Sequence, residues 1–161
     1  MAQETIKSAS PRGLARLAFR LPIWLYRLHL GWLLGDRLLL LTHIGRKSGL
    51  PRQTVLEVVR HDRSSDTYII VSGFGEQVDW FRNIQHNPNV LVQSGTRRLE
   101  AVAVWLPLDV AADELYSYAQ RYPRTFRTLT KRLLGQDLDG SAESCRQLAG
   151  TVPVVALRPC S

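Results

Sequence analysis

Two kinds of apolar pattern divide this chain. From Leu14 to Leu28 the apolar residues Leu14, Leu17, Leu21, Trp24, Leu25 and Leu28 recur at helical steps and mark one face, with Arg16, Arg20 and Arg27 on the other. Pro22 lacks an N–H and predicts a kink or a restart of that helix. Beyond it the runs are short and rich in Leu, Val and Ile, which predicts strands over Leu38–Thr42, Thr54–Val59, Thr67–Ser72, Val90–Gln93, Leu99–Leu106 and Val152–Leu157. Turns separate them: Gly45 to Arg52, the charged stretch Arg60–Asp66, Gly73-Phe74-Gly75, and Ser94-Gly95-Thr96. Helical spacing returns at Val78–His86, which Asn87-Pro88 ends, then over Leu108–Arg121, from Pro123 to Leu134, and over Ser141–Ala149. The pattern predicts an antiparallel α+β chain of about six strands forming a compact barrel-like sheet with peripheral helices. Residues 1–34 are expected to form a polar tail and amphipathic helix ahead of a single domain over 35–161.

Charge sharpens this picture. Of the net +7, all resides in residues 1–63, which hold 11 Lys/Arg against 4 Asp/Glu; residues 64–161 hold 10 of each. One part of the molecule is therefore suited to something negative, such as a polyanionic cofactor, a lipid headgroup or nucleic acid. No nucleic-acid reader motif accompanies the charge, and nucleic acid is not an expected partner. The run Leu14–Leu34 is as long as a membrane span, but its arginines argue against spanning. It reads either as a helix packed on the barrel with a solvated arginine stripe, or as an interfacial helix with Trp24 and Trp32 at headgroup depth on an anionic membrane. Cys145 and Cys160 stand apart, without metal-ligand spacing or a disulfide framework, and predict reduced thiols in a cytoplasmic protein. No metal site is expected.

The candidate chemistry centres on Gly45-Arg46-Lys47-Ser48-Gly49-Leu50-Pro51-Arg52. A hairpin tip with Arg46, Lys47, Arg52 and the Ser48 hydroxyl is suited to phosphate or carboxylate oxygens. Gly73-Phe74-Gly75 is a lone G-x-G without the spacing of a dinucleotide fingerprint. Its glycines let a flat ligand approach the backbone. The basic face Arg124, Arg127, Lys131 and Arg132 reads as solvated.

The ordered set Thr42-His43-Ile44-Gly45-Arg46-Lys47-Ser48-Gly49-Leu50-Pro51-Arg52, then Ser72-Gly73, Asp79-Trp80-Phe81-Arg82-Asn83 and Asn87-Pro88-Asn89-Val90 resembles the deazaflavin-dependent nitroreductase family. The resemblance covers roughly residues 20–157 and implies a split β-barrel, the fold of flavin-mononucleotide oxidases. It implies the deazaflavin coenzyme F420, with FMN as second choice, and the phosphate and glutamates of the F420 tail at Arg46, Lys47, Ser48 and Arg52. Gln53, Thr54 and Val55 would run alongside the cofactor, and its ring would lie near Ser72, Gly73, Asp79, Trp80 and Asn83. Hydride would pass to a small activated acceptor such as a quinone, an enone or a nitro compound. Tyr122 is the implied proton donor. Family nitroreductases carry further tyrosines where this chain has Thr125 and Thr128, so weaker stacking on nitroaromatics is expected. A homodimer is a further implication of the resemblance. The alternative reading is a split-barrel module that binds flavin, haem or lipid without turnover.

Overall fold

The computed structural model describes residues 37–73 and 75–161. The expected helix over Leu14–Leu34, with its arginine stripe, and Phe74 lie outside the described residues, as does the boundary at residues 34 and 35. The elements run β1 (Leu38–Ile44), β2 (Pro51–Asp62), β3 (Thr67–Val71), α1 (Asp79–His86), β4 (Asn89–Ser94), β5 (Arg97–Trp105), α2 (Leu108–Arg121), α3 (Pro123–Leu134), α4 (Ala142–Ala149) and β6 (Val154–Pro159). All strand pairs are antiparallel, and the sheet closes in the order β1-β2-β3-β6-β5-β4. This is the α+β split-barrel architecture that the sequence pattern and the resemblance predict.

Side-chain alternation builds two apolar layers from the same strands. Leu39, Leu41, Val58, Tyr68, Ile70, Val90, Val92, Ala101, Ala103, Val155 and Leu157 point into the barrel, where Phe81 and Ile84 of α1 join them. The alternate residues Val59, Ile69, Val154 and Ala156 face outward against Ala111, Leu115 and Tyr118 of α2, Phe126 of α3, and Cys145 and Leu148 of α4. β3 and β6 are buried on both faces, which is why they read as unbroken apolar runs.

Several strand ends shift from expectation, β1 running on to Ile44 and β5 starting at Arg97, and the shifts in β2 and β6 have clear causes. β2 spans Pro51–Asp62 rather than Thr54–Val59, because Ile44 pairs with Pro51 at one end and Asp62 with Thr67 at the other. The polar residues Arg60, His61 and Asp62, expected in a turn, belong to the strand; the turn proper follows them. The ladder shifts register between Val58 and Arg60, a bulge that turns the strand between its two partners. At the other end of the chain, β6 begins at Val154 rather than Val152. Val152 donates its N–H to the Leu148 carbonyl at 2.9 Å, extending the end of α4, and Pro153 has no N–H to place in a ladder.

Candidate functional site

The β1–β2 turn and α1 form the two walls of a cleft of about 520 Å³, lined by His43, Gly45, Arg46, Lys47, Ser48, Arg52, Gln53, Thr54, Asp79, Trp80 and Asn83. Its size falls in the range of small-molecule sites, and its lining is largely polar. The turn is closed by Gly45 N–H to the Leu50 carbonyl at 2.9 Å and Gly49 N–H to the Gly45 carbonyl at 2.8 Å. Gly49 takes φ +67°, the left-handed region that favours glycine. A Cβ on Gly45 would stand 2.6 Å from Ser48 Oγ, so this glycine lets the Ser48 hydroxyl fold over the backbone. Ser48 Oγ accepts the Leu50 N–H at 3.3 Å, which leaves its proton for another acceptor.

Arg46 is drawn back against α1 rather than extended into solvent. Its backbone N–H and Nη1 both donate to Asn83 Oδ1, at 3.1 and 2.9 Å, and Nη2 pairs with Asp79 Oδ1 at 3.0 Å. Its side chain is only 21% exposed. The guanidinium thus braces the turn against α1, and Asp79, in the first turn of that helix, also suits the helix dipole. Lys47 and Arg52 have no hydrogen-bond or ion-pair partner among the described residues. These two are the cations left to meet a ligand.

Asn83 uses its other end on a residue that the strand pattern alone did not single out. Its Nδ2 lies 3.1 Å from Nδ1 of His43, which is buried at 4% exposure. Burial lowers the His43 imidazole pKa from 6.5 to about 4; the neighbouring Arg52 charge adds to this and Asp79 opposes it. The imidazole is neutral at physiological pH. Strand parity was the available signal: His43 stands two residues beyond Leu41 and opposite Arg52, on the inward side of β1.

Of the residues expected at the site, Arg46, Lys47, Ser48, Arg52, Gln53, Thr54, Asp79, Trp80 and Asn83 line one cleft. Trp80 does so while its ring packs edge-on against Phe81, with centroids 5.8 Å apart, so it is core filler and cleft wall together. Val55, Ser72, Gly73 and Tyr122 do not line it. Val55 pairs with Leu40 on the outward side of β2. The Ser72 hydroxyl is buried and donates to the Gly75 carbonyl at 2.5 Å. Gly73 borders a separate apolar cavity of about 50 Å³ between barrel and helices, too small for a cofactor ring. Tyr122 sits exposed at the α2–α3 junction, with the Arg37 and Arg121 guanidinium carbons 5.1 and 5.8 Å from its ring centroid. Beside it Tyr118 donates to Glu57 Oε1 at 2.5 Å, a pair that links β2 to α2. Sequence spacing gave no sign of it, since the partners lie 61 residues apart.

The model of the F420H(2)-dependent quinone reductase family matches residues 20–134, well over half of the chain. The chain belongs to this family. As an F420H(2)-dependent quinone reductase family member it is a deazaflavin-dependent oxidoreductase that transfers hydride to a small acceptor. Solved structures share its fold. An F420-H2 dependent reductase, FDR-A, is 24% identical, covers 77% of this chain and 96% of its own, and superposes with a TM-score of 0.51. The haem storage protein HutZ from Vibrio cholerae is 14% identical, with coverage of 81% and 86% and a TM-score of 0.53. General Stress Protein 26 from Bacillus anthracis is 15% identical, with coverage of 83% and 89% and a TM-score of 0.51. At these identities the likeness shows the fold alone. Among the described residues no helix is long and apolar enough to cross a membrane, and no cluster of His, Cys, Asp and Glu is arranged to hold a metal ion.

Proposed function

We propose that the cleft between the β1–β2 turn and α1 seats the anionic tail of F420, with Lys47 and Arg52 as its ionic contacts. The observation that carries this is the pair of cations without a partner among the described residues, beside a cleft of about 520 Å³. The donor set fits the group: two cations and the Ser48 hydroxyl proton suit a tail rich in phosphate and carboxylate oxygens. Arg46 acts one step back, holding the turn at the angle that Asn83 and Asp79 fix. Gln53 and Thr54 continue the wall along β2, and Trp80 supplies an apolar face.

When bound, the reduced deazaflavin supplies a hydride and little one-electron chemistry. The chain's task is then placement, exclusion of water and supply of one proton, since a quinone that gains a hydride needs a proton to become a hydroquinone. Tyr122 holds a phenolic proton at an exposed position beside two guanidinium groups, which would also favour the developing negative charge of a carbonyl acceptor. Thr128 turns its hydroxyl back to the Arg124 carbonyl at 2.9 Å, and neither it nor Thr125 offers a ring for stacking. These features favour quinones and enones over bulky nitroaromatics.

The test is a fluorescence titration with F420, and with FMN in parallel, of wild type and of Lys47→Ala combined with Arg52→Ala. Charged hydrogen bonds contribute about 1.5–3 kcal/mol each, so the double variant should bind F420 at least about 100-fold more weakly, with a shallower salt dependence. Unchanged affinity would remove the tail from this cleft. On the acceptor side, Tyr122→Phe should lower quinone turnover by about 100-fold or more and leave F420 affinity alone, as loss of a general acid does. A loss of only a few fold would make solvent the proton source.

A further inference from the structure

We propose that His43 is a further ligand-binding residue of the cleft: a neutral imidazole whose Nε2–H donates to an oxygen of the bound anion. This rests on the reading of the cleft as the seat of the F420 tail and names a contact that reading did not contain.

Arg46 has only donors, so the Asn83 atom that meets its N–H and its Nη1 is an acceptor, the amide oxygen. The Asn83 amide nitrogen is therefore the end that faces His43 Nδ1 at 3.1 Å, and it is a donor. His43 Nδ1 must accept, which leaves the ring proton on Nε2. A second proton on Nδ1 would set two donors face to face and place a cation beside Arg52, so the network holds the ring neutral in one tautomer. His43 as a residue is only 4% exposed, and it lines the cleft. Among the described residues Nε2 has no hydrogen-bond partner. Yet among the described residues no fully buried side-chain nitrogen or oxygen lacks one. The Nε2–H therefore meets the open space of the cleft, and a buried donor in such a position costs free energy until something accepts from it.

Among the described residues, the charged and amide groups that line the cleft with this ring come from three elements. From β2 comes Arg52, from the turn Arg46 and Lys47, and from α1 Asp79 and Asn83. Three of these are cationic and one is anionic, so the cleft attracts an anion by charge, whereas His43 adds direction without charge. A ligand that uses both is an oxyanion with several acceptor oxygens, such as a phosphate, one oxygen meeting Lys47 or Arg52 and another meeting Nε2–H.

The neutrality of the contact gives it a distinctive signature. F420 titrations of His43→Phe across a range of salt concentrations should show about 10-fold weaker binding with an unchanged slope of log affinity against log salt. Lys47→Ala should lower that slope. His43→Gln can accept from Asn83 and donate into the cleft, so it should recover most of the lost affinity. Nitrogen-15 spectra of the wild-type protein supply a readout independent of any variant's folding. They should show a protonated Nε2 and an unprotonated Nδ1 at neutral pH, and an Nε2–H resonance that moves on adding F420. Wild-type affinity in His43→Phe, a proton on Nδ1, or an Nε2–H signal indifferent to F420 would each overturn the proposal. If Lys47→Ala with Arg52→Ala weakens F420 while His43→Phe does not, the cleft remains the tail site and only the histidine contact fails. If neither weakens it, the parent reading fails as well.

Discussion

His43 also couples stability to pH. In the unfolded chain the imidazole titrates near 6.5, and in the fold near 4. Between those values the unfolded state binds a proton that the native state refuses, so stability rises with pH there. The contribution is fully present above about pH 6.5 and is lost as pH falls towards about 4; at 1.36 kcal/mol per unit it amounts to about 3 kcal/mol. Urea unfolding of wild type at about pH 7 and about pH 4.5 should show this loss, and His43→Phe should lose distinctly less over the same interval. An equal loss in both would assign the acid sensitivity to other groups. At this scale the sequence disclosed identities more readily than roles. Arg46, Lys47 and Arg52 were all legible as candidates, but which of them is free depends on Asn83 and Asp79, residues 37 and 33 positions away from Arg46. A turn's composition says which cations it carries. Only tertiary contact says which are already engaged.

Among the elements, β2 marks the limit of what periodicity discloses. Its centre was legible because Val58 and Val59 are apolar on both faces. Its far end was not, because polar residues there are satisfied by distant partners: Arg60 donates through Nε and Nη2 to both Glu114 oxygens at 2.8 Å, and the His61 ring stacks on Tyr68 at 4.0 Å. α4 was legible to within one residue for a local reason. Ser141 is its N-cap, accepting the Ser144 N–H at 3.2 Å, and Asp139 Oδ1 takes the Ser141 N–H and the Ser144 hydroxyl at 2.9 and 2.6 Å. Those bonds hold the Asp139 carboxyl at about 2, below the ordinary carboxylate range. Loss of a cap oxygen typically costs about 1 kcal/mol, so Ser141→Ala should lower the unfolding free energy by about that amount. Denaturant titration measures it, and a change below about 0.3 kcal/mol would mean that Asp139 alone suffices as the cap.

For the molecule as a whole, the two apolar layers are inseparable. β2, β3 and β6 each give one face to the barrel interior and the other to the helices, so neither layer survives without the strands that build both. Unfolding followed by tryptophan fluorescence and by far-ultraviolet dichroism should therefore give coincident transitions. A separate early loss of helix signal would show that α2, α3 and α4 detach from an intact barrel. The closed order β1-β2-β3-β6-β5-β4 has a consequence for synthesis as well. The strand that joins β3 to β5 is β6, at residues 154–159, and every other strand precedes it. While a ribosome is still translating, the nascent chain can assemble β1 with β2 and β4 with β5, but β3 and β5 keep bare hydrogen-bonding edges until β6 has cleared the exit tunnel. Bare edges recruit other strands. A message truncated before the codon for Val154 would therefore yield not a slightly smaller enzyme but an open sheet that pairs with its neighbours, a product for chaperones and proteases to remove.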